Sequence, residues 1–293
     1  SPETLVADEK VKNMSVEKLL NKEVDTSILK DATMTPNGAL FKTTQKGFLP
    51  ELMQKMYDDR VKFKQLMIEA QKDYEKTKDP KLQKTIAKFN NIQMAKKISL
   101  NSAYGAIGNV WFRYYNLLVA EAITTSGQLA IRYIEHTLNQ YLNKILDTRG
   151  EDYIIASDTD SVYITFDNLV SKVFVSDTDD NKIVEFLDRV AKEKLEPFID
   201  KSYQDLAEYV NAYEQKMQMK REVIANKGIW VAKKRYILNA HDVEGVRYKE
   251  PKLKIMGVEA VKSSTPAACR EKIKDALKII MTKDNQELNS FIQ

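Results

Sequence analysis

A chain of 293 residues, 43% hydrophobic and 30% charged, is long enough for a substantial core and about two domains. Its single cysteine, Cys269, excludes an intrachain disulfide and a cysteine zinc site, and its two histidines, His136 and His241, exclude a histidine-rich cluster, so any metal chemistry must use carboxylates. No signal-peptide pattern and no apolar run of membrane-spanning length appears, which predicts a soluble, intracellular protein.

The formal net charge of +4 is unevenly spread. Between Lys42 and Lys97 there are fourteen Lys and Arg against seven Asp and Glu, so this segment alone carries +7. Such a segment suits a polyanionic ligand, and it also suits an ordinary solvated helix surface.

Residues 1–47 read as irregular, with a short helix near Ser15–Asn21 and turn signals at Pro36-Asn37-Gly38 and Lys46-Gly47. From Phe48 to Tyr74, Leu49, Leu52, Met53, Met56, Tyr57, Val61, Leu66 and Met67 recur mostly at three- and four-residue spacings, predicting an amphipathic helix. Lys78-Asp79-Pro80 interrupts it, and a second helical pattern runs from Leu82 towards Ser99. The pair predicts a projecting αα-hairpin with its tip near Pro80.

Ala120–Ile145 predicts a long helix that buries Ile123, Leu129, Ile131, Tyr133, Ile134 and Leu138. A β-hairpin is expected over 152–167, a helix over Ile183–Met217 and strands over Val223–Leu238, with Ser263-Ser264-Thr265-Pro266 opening a last helix on a hydroxyl N-cap. Helices and antiparallel strands mix without βαβ alternation, so the fold class is α+β.

The hairpin carries the most informative letters, Ser157-Asp158-Thr159-Asp160-Ser161. Tyr153 to Ala156 precede them and Val162 to Phe166 follow, both runs rich in β-branched and aromatic residues. Two carboxylates at a strand junction suit a hard divalent cation, which takes oxygen ligands and leaves positions for water and phosphates. Asp and Thr are also ordinary turn residues. A near copy, Ser176-Asp177-Thr178-Asp179-Asp180, lacks the second strand and runs into a helical pattern, for which Asp179 or Asp180 is the expected N-cap.

A second constellation lies at the end of the hairpin's return helix. There Lys97, Asn101 and Tyr104, four and three residues apart, share one face, and Arg60 and Lys64 share a face of the outgoing helix. Cations on both helices suit a triphosphate, for which Arg adds bidentate geometry. An exposed lysine above a buried tyrosine has the same pattern.

In order, a basic helix, Lys97-x-x-x-Asn101-Ser102-x-Tyr104-Gly105, Asp158-Thr159-Asp160-Ser161 and Lys233-Lys234-Arg235-Tyr236 resemble the family B DNA polymerases. Phe112-Arg113-Tyr114-Tyr115, Glu250 to Gly257 and Ser263-Ser264-Thr265-Pro266 are further similar to the replicative polymerases of T-even-like bacteriophages. The resemblance implies a palm with an antiparallel sheet and a helical-hairpin fingers subdomain. On that reading, residues 1–47 are a palm-associated segment, 48–105 the fingers, 106–262 the palm and 263–293 the start of the thumb.

It also implies residue roles. Asp160 is a principal ligand of two Mg²⁺ ions, Asp158 its acidic neighbour and Glu222 an additional palm carboxylate. Arg60, Lys64 and Lys97 would grip the incoming dNTP, Asn101 and Tyr104 line the nascent base pair, and Lys234, Arg235 and Tyr236 meet primer-template DNA.

The family's Asp-x-x-Ser-Leu-Tyr-Pro motif, which carries another metal-binding Asp, does not occur in this sequence. The expectation is therefore a fragment, either truncated or half of a split enzyme, that is inactive until the N-terminal remainder of the polymerase joins it. The resemblance adds a sliding clamp as a partner and the cytoplasm of an infected bacterium as the setting. A non-catalytic nucleic-acid-binding or assembly module that keeps the fold is the alternative.

Overall fold

The computed structural model describes residues 1–6, 10–175, 178–283 and 285–292. The chain divides into two compact units, one of residues 1–176 and 192–220, the other of residues 177–191 and 221–293. Helices and small antiparallel sheets are mixed, so the α+β class holds.

The first unit begins with a short helix, α1 (Val16–Leu20), whose N-cap Ser15 accepts from the Lys18 amide as its sequence predicts. Next comes a hairpin the sequence reading leaves as irregular, β1 (Ala32–Met34) paired with β2 (Leu40–Lys42). Its strands are only three residues long, too short for a period-two pattern to show.

Two long helices follow, α2 (Phe48–Thr77) and α3 (Pro80–Ile107). Lys78 closes α2 in a left-handed conformation, Asp79 caps α3 by accepting from the Lys81 amide, and Pro80 fills the first helical position, where no N–H is required. Phe63 and Phe89 meet across the pair at 6.2 Å. Within α2 only Met67 and Ala70 are fully buried, and within α3 only Gln93 and Ile107.

The core of this unit forms around α4 (Leu117–Leu146), capped by Asn116, which accepts from the Val119 amide. Leu129 and Tyr133 pack with Val16, Leu19 and Leu206, while Ile134, Leu138 and Leu142 are sealed from solvent. Removing side chains such as these typically costs about 2–5 kcal/mol. Ile123 is a correction to the expected core: it is 45% exposed, because at that end of α4 the buried face is made by Val119, Ala120 and Ala122. Ile131 is only half-buried.

The unit is completed by β3 (Ile154–Asp158), β4 (Ser161–Ile164), α5 (Asp167–Val173) and α7 (Glu196–Tyr209). Helix α7 ends well short of the expected Met217. Asn211 turns left-handed, and its side-chain amide donates to the carbonyls of Leu29 and Ala32, at 2.6 and 2.9 Å, drawing the chain out of the helix.

The second unit holds α6 (Asp180–Val190), the sheet strands β5 (Val223–Ala232), β6 (Arg235–Val243) and β7 (Val246–Met256), and α8 (Ala267–Thr282) with α9 (Asn285–Ile292). The strands form an antiparallel meander. Ile237, Val258, Ala260 and Met281 make a core to which Ile229, Leu253, Ile255, Ile273 and Leu277 add partly buried surface. Helix α8 opens without the hydroxyl cap expected of it: Pro266 is itself the N-cap, which leaves Thr265 one residue too early. Of the Ser176–Asp180 copy, Ser176 and Asp177 lie outside the described residues, and Asp179 caps α6 by accepting from the Asn181 amide at 3.1 Å.

Candidate functional site

The hairpin β3–β4 is anchored at its base. Asn139 of α4 accepts from the Tyr153 amide at 2.9 Å and donates to Asp152 at 2.8 Å, while the Thr165 amide donates to the Tyr153 carbonyl at 2.9 Å. Two fixed strands therefore present the turn Thr159-Asp160, with Asp158 paired to Ser161 across it.

The turn is unusually tight. The Asp160 amide donates to the Asp158 carbonyl at 2.6 Å, so the chain reverses over three residues centred on Thr159, whose φ is 52°. A β-branched residue rarely occupies the left-handed region, and holding it there costs about 1–3 kcal/mol. Local bonds offset part of this. The Thr159 hydroxyl donates to the Asp158 carboxylate at 3.0 Å, and the Ser161 hydroxyl donates to the Asp158 carbonyl at 3.2 Å.

Asp158 is half-buried and Asp160 exposed. Behind the turn, Tyr203 of α7 is buried, and burial, reinforced by the negative charge of Asp160, pushes its phenol up to about 12. Tyr203 carried no sequence signal beyond a helical core position.

The paired carboxylates are the right donor type for a hard cation such as Mg²⁺, which commonly takes one or two protein carboxylates and completes its shell with water and phosphate oxygens. Among the described residues no group of three or more His, Cys, Asp or Glu side chains converges. Glu222 lies in the second unit, where Lys254 approaches its carboxylate at 3.5 Å.

The predicted face of α3 is real. Lys97, Asn101 and Tyr104 are all exposed on that helix, and the bland alternative of a buried tyrosine does not hold, since Tyr104 is 43% exposed. Across the pair, Lys96 of α3 donates to Asp59 of α2 at 2.7 Å. Arg60, next in sequence to Asp59, therefore stands level with Lys97, and Lys64 lies one turn further along α2. The Arg60 Nε is buried without a hydrogen-bond partner among the described residues.

Lys233 and Lys234 form the two-residue turn between β5 and β6, with Lys234 at φ 61°. Arg235 is held by Glu259, whose two oxygens accept from the same Nη2 at 2.7 and 2.5 Å. Lys262 first, then the residue's own backbone amide and the Arg235 charge, bring the Glu259 carboxyl down to about 2. Tyr236 is buried and stacks on Trp230 at 6.3 Å. Gly257 fits closely against this turn: its φ is +65°, and an added Cβ would sit 2.2 Å from the Lys234 carbonyl oxygen. Glu259 escapes the sequence reading because nothing local links it to Lys234-Arg235, and Gly257 enters that reading only as the end of the Glu250–Gly257 run.

No helix among the described residues is long and apolar enough to cross a membrane. The family model "DNA polymerase family B" matches residues 1–293. The chain is 38% identical to the DNA-directed DNA polymerase of Escherichia phage RB69, over 83% of its own length and 33% of that protein. It is 43% identical to the DNA-directed DNA polymerase of Enterobacteria phage T4, over 69% of its length and 24% of that protein. A DNA polymerase delta catalytic subunit of Arabidopsis thaliana is 33% identical over 46% of the chain and 12% of the relative. The chain thus spans a quarter to a third of these phage polymerases, and with its carboxylate turn, basic helix face and Lys-Arg-Tyr hairpin it belongs to DNA polymerase family B.

Proposed function

We propose that this chain is the fingers and palm portion of a template-directed DNA polymerase that adds dNMP units to a primer 3′-hydroxyl during phage DNA replication in an infected bacterium. In this reading residues 48–105 are the fingers, 1–47 and 106–262 the palm, and 263–293 the start of the thumb. The observation that carries it is the rigid turn bearing Asp158 and Asp160 in a chain of this family.

Asp160 and Asp158 would hold Mg²⁺, together with a further Asp from the remainder of the polymerase. Bound there, a pair of ions supplies activation of the primer hydroxyl and neutralisation of the leaving pyrophosphate. The chain's own residues do the positioning. Lys97, Arg60 and Lys64 bind the triphosphate from two facing helices, and Asn101 and Tyr104 line the nascent base pair. Lys234 and Tyr236 orient the primer-template, Arg235 serving through its brace on Glu259.

Two divalent ions a few ångströms apart repel strongly, so two carboxylates on one turn are too few to hold them. The 293 residues by themselves are therefore expected not to extend a primer, and adding the N-terminal portion of the polymerase should restore extension. In the restored enzyme Asp160→Ala should abolish Mg²⁺-dependent extension while leaving primer-template binding intact. Full extension by Asp160→Ala would overturn the assigned role, and binding without any extension by the wild-type assembly would mark a non-catalytic module instead.

A further inference from the structure

The surplus positive charge of the α2–α3 hairpin sits on one of its two helices. Along α2 six Asp and Glu balance six Lys and Arg, whereas α3 holds no carboxylate and five lysines, Lys81, Lys84, Lys88, Lys96 and Lys97. Lys96 is held by Asp59, and Lys97 shares the proposed nucleotide face with Asn101 and Tyr104, so neither is spare. The other three form a row of their own.

Lys81, Lys84 and Lys88 follow one another at spacings of three and four residues, so they line one face of α3 over about 10 Å of its axis. At about 100° per residue, Lys88 points to the side of the helix opposite Lys97, and Lys81 and Lys84 lie within about 40° of Lys88. All three are exposed, and none takes part in an ion pair among the described residues, although Lys55, Lys78 and Lys96 of the same hairpin each have a carboxylate partner.

This placement works against the helix that carries it. Like charges three and four residues apart repel, and cations near the N-terminal end oppose the helix dipole, which favours acidic residues there. Beyond the Asp79 cap, the first turn of α3 has no acidic residue. A sequence breaks such local rules where function asks for it, and a row left without counter-charges is matched to an outside anion. The row also lacks an apolar anchor: among the described residues, no large hydrophobic side chain between Tyr57 and Met94 is exposed. Protein partners take most of their binding energy from such anchors, whereas a phosphate backbone needs only positioned cations.

We infer that Lys81, Lys84 and Lys88 form a second nucleic-acid contact on α3, which holds the phosphates of an unpaired DNA strand on the side of the helix opposite the Lys97 face. The choice of ligand rests on the proposed polymerase function. There the primer-template duplex and the nascent pair are assigned to the Lys234 hairpin and the Lys97 face, and unpaired template is the remaining form of DNA such an enzyme holds. A single file of three cations suits one strand, and with no exposed aromatic ring in the row the contact carries no base preference.

The test is fluorescence anisotropy of a labelled oligo-dT strand titrated with the 293-residue chain over a range of NaCl concentrations. Each phosphate contact on a single strand contributes about 0.7 to the slope of log binding constant against log salt, so replacing all three lysines by Ala should lower that slope by about 2. At low salt the same variant should bind at least tenfold more weakly, with its helix content unchanged by circular dichroism, while binding to a blunt duplex of equal length stays within twofold of wild type. Replacing the three by Arg should keep the wild-type slope and affinity. An unchanged slope and affinity in the Ala variant, or a loss as large in the Arg variant, would overturn the contact, and an equal loss on the blunt duplex would overturn its assignment to an unpaired strand. The readout is binding without extension, so a restored polymerase that fails to extend would sink the proposed function and leave this contact standing.

Discussion

Arg235 and Glu259 lock the base of the Lys233-Lys234 turn, with one guanidinium nitrogen donating to both carboxylate oxygens at 2.7 and 2.5 Å. That guanidinium is committed to Glu259, so Arg235 fixes the base of the turn in which Lys234 sits.

The brace has a pH signature. Glu259 has its folded pKa depressed to about 2, chiefly by Lys262, so its contribution to stability is present above the unfolded value near 4.5 and is lost as pH falls through about 2. Thermal melts of wild type and Glu259→Gln should differ at pH 6 and converge by pH 2. A constant difference across that range would show that the carboxylate charge contributes nothing.

Tyr203 gives the opposite sign. Its folded pKa lies at about 12, above the ordinary phenol value of 10, so its neutral form is favoured in the fold and stability is lost as pH rises from 10 through 12. The shift corresponds to about 2–3 kcal/mol. Tyr203→Phe should therefore unfold less steeply with alkali, as read by urea titrations between pH 9 and 12. An unchanged alkaline slope would show that burial, with the smaller help of the Asp160 charge, does not hold the phenol neutral.

How much of this was legible depends on whether the signal is local. The α2–α3 hairpin announced itself through its apolar spacing and Lys78-Asp79-Pro80, and the Asp158-Asp160 turn through the strand composition on both sides. Features that join distant residues left no trace. Glu259 lies 24 residues from Arg235, and Tyr203 more than 40 from Asp160. The early end of α7 was equally hidden, since Asn211 leaves the helix to satisfy carbonyls at Leu29 and Ala32.

Thr159 is strained where strain is useful. Thr159→Gly removes the left-handed penalty of about 1–3 kcal/mol but also the hydroxyl bond to Asp158. The expected result is a fold no less stable in urea melts, with primer extension by the complete polymerase reduced at least tenfold because the two carboxylates lose their fixed relation. Unchanged extension would show that the turn's conformation is incidental.

Lys96 and Lys97 are adjacent but face different tasks. Lys96 is occupied by Asp59, whereas Lys97 is exposed on the face it shares with Asn101 and Tyr104. In steady-state extension by the complete polymerase, Lys97→Ala should raise the KM for dNTP at least tenfold, and Lys96→Ala should leave it unchanged. Equal effects from the two would mean that bulk positive charge on the arm, rather than one positioned ammonium, attracts the nucleotide.

Arg221 supports the whole second unit through charge. Its guanidinium donates to Asp188 and Asp242, and Asp242 accepts in addition from the Gly245 amide at 2.8 Å and from Arg247 Nε at 3.2 Å. Asp242 is only 2% exposed, so its charge is tolerable only while these donors surround it. Arg221→Met keeps the length and apolar stem but strands that charge, at a cost of about 3–5 kcal/mol. Adding Asp242→Asn, which removes the stranded charge and keeps an acceptor for the Gly245 amide, should recover part of the loss. A double-mutant cycle in urea measures this coupling. Additive losses would mean that Arg247 and the Gly245 amide alone compensate Asp242, and that the Arg221 pair serves only to tie α6 to the sheet.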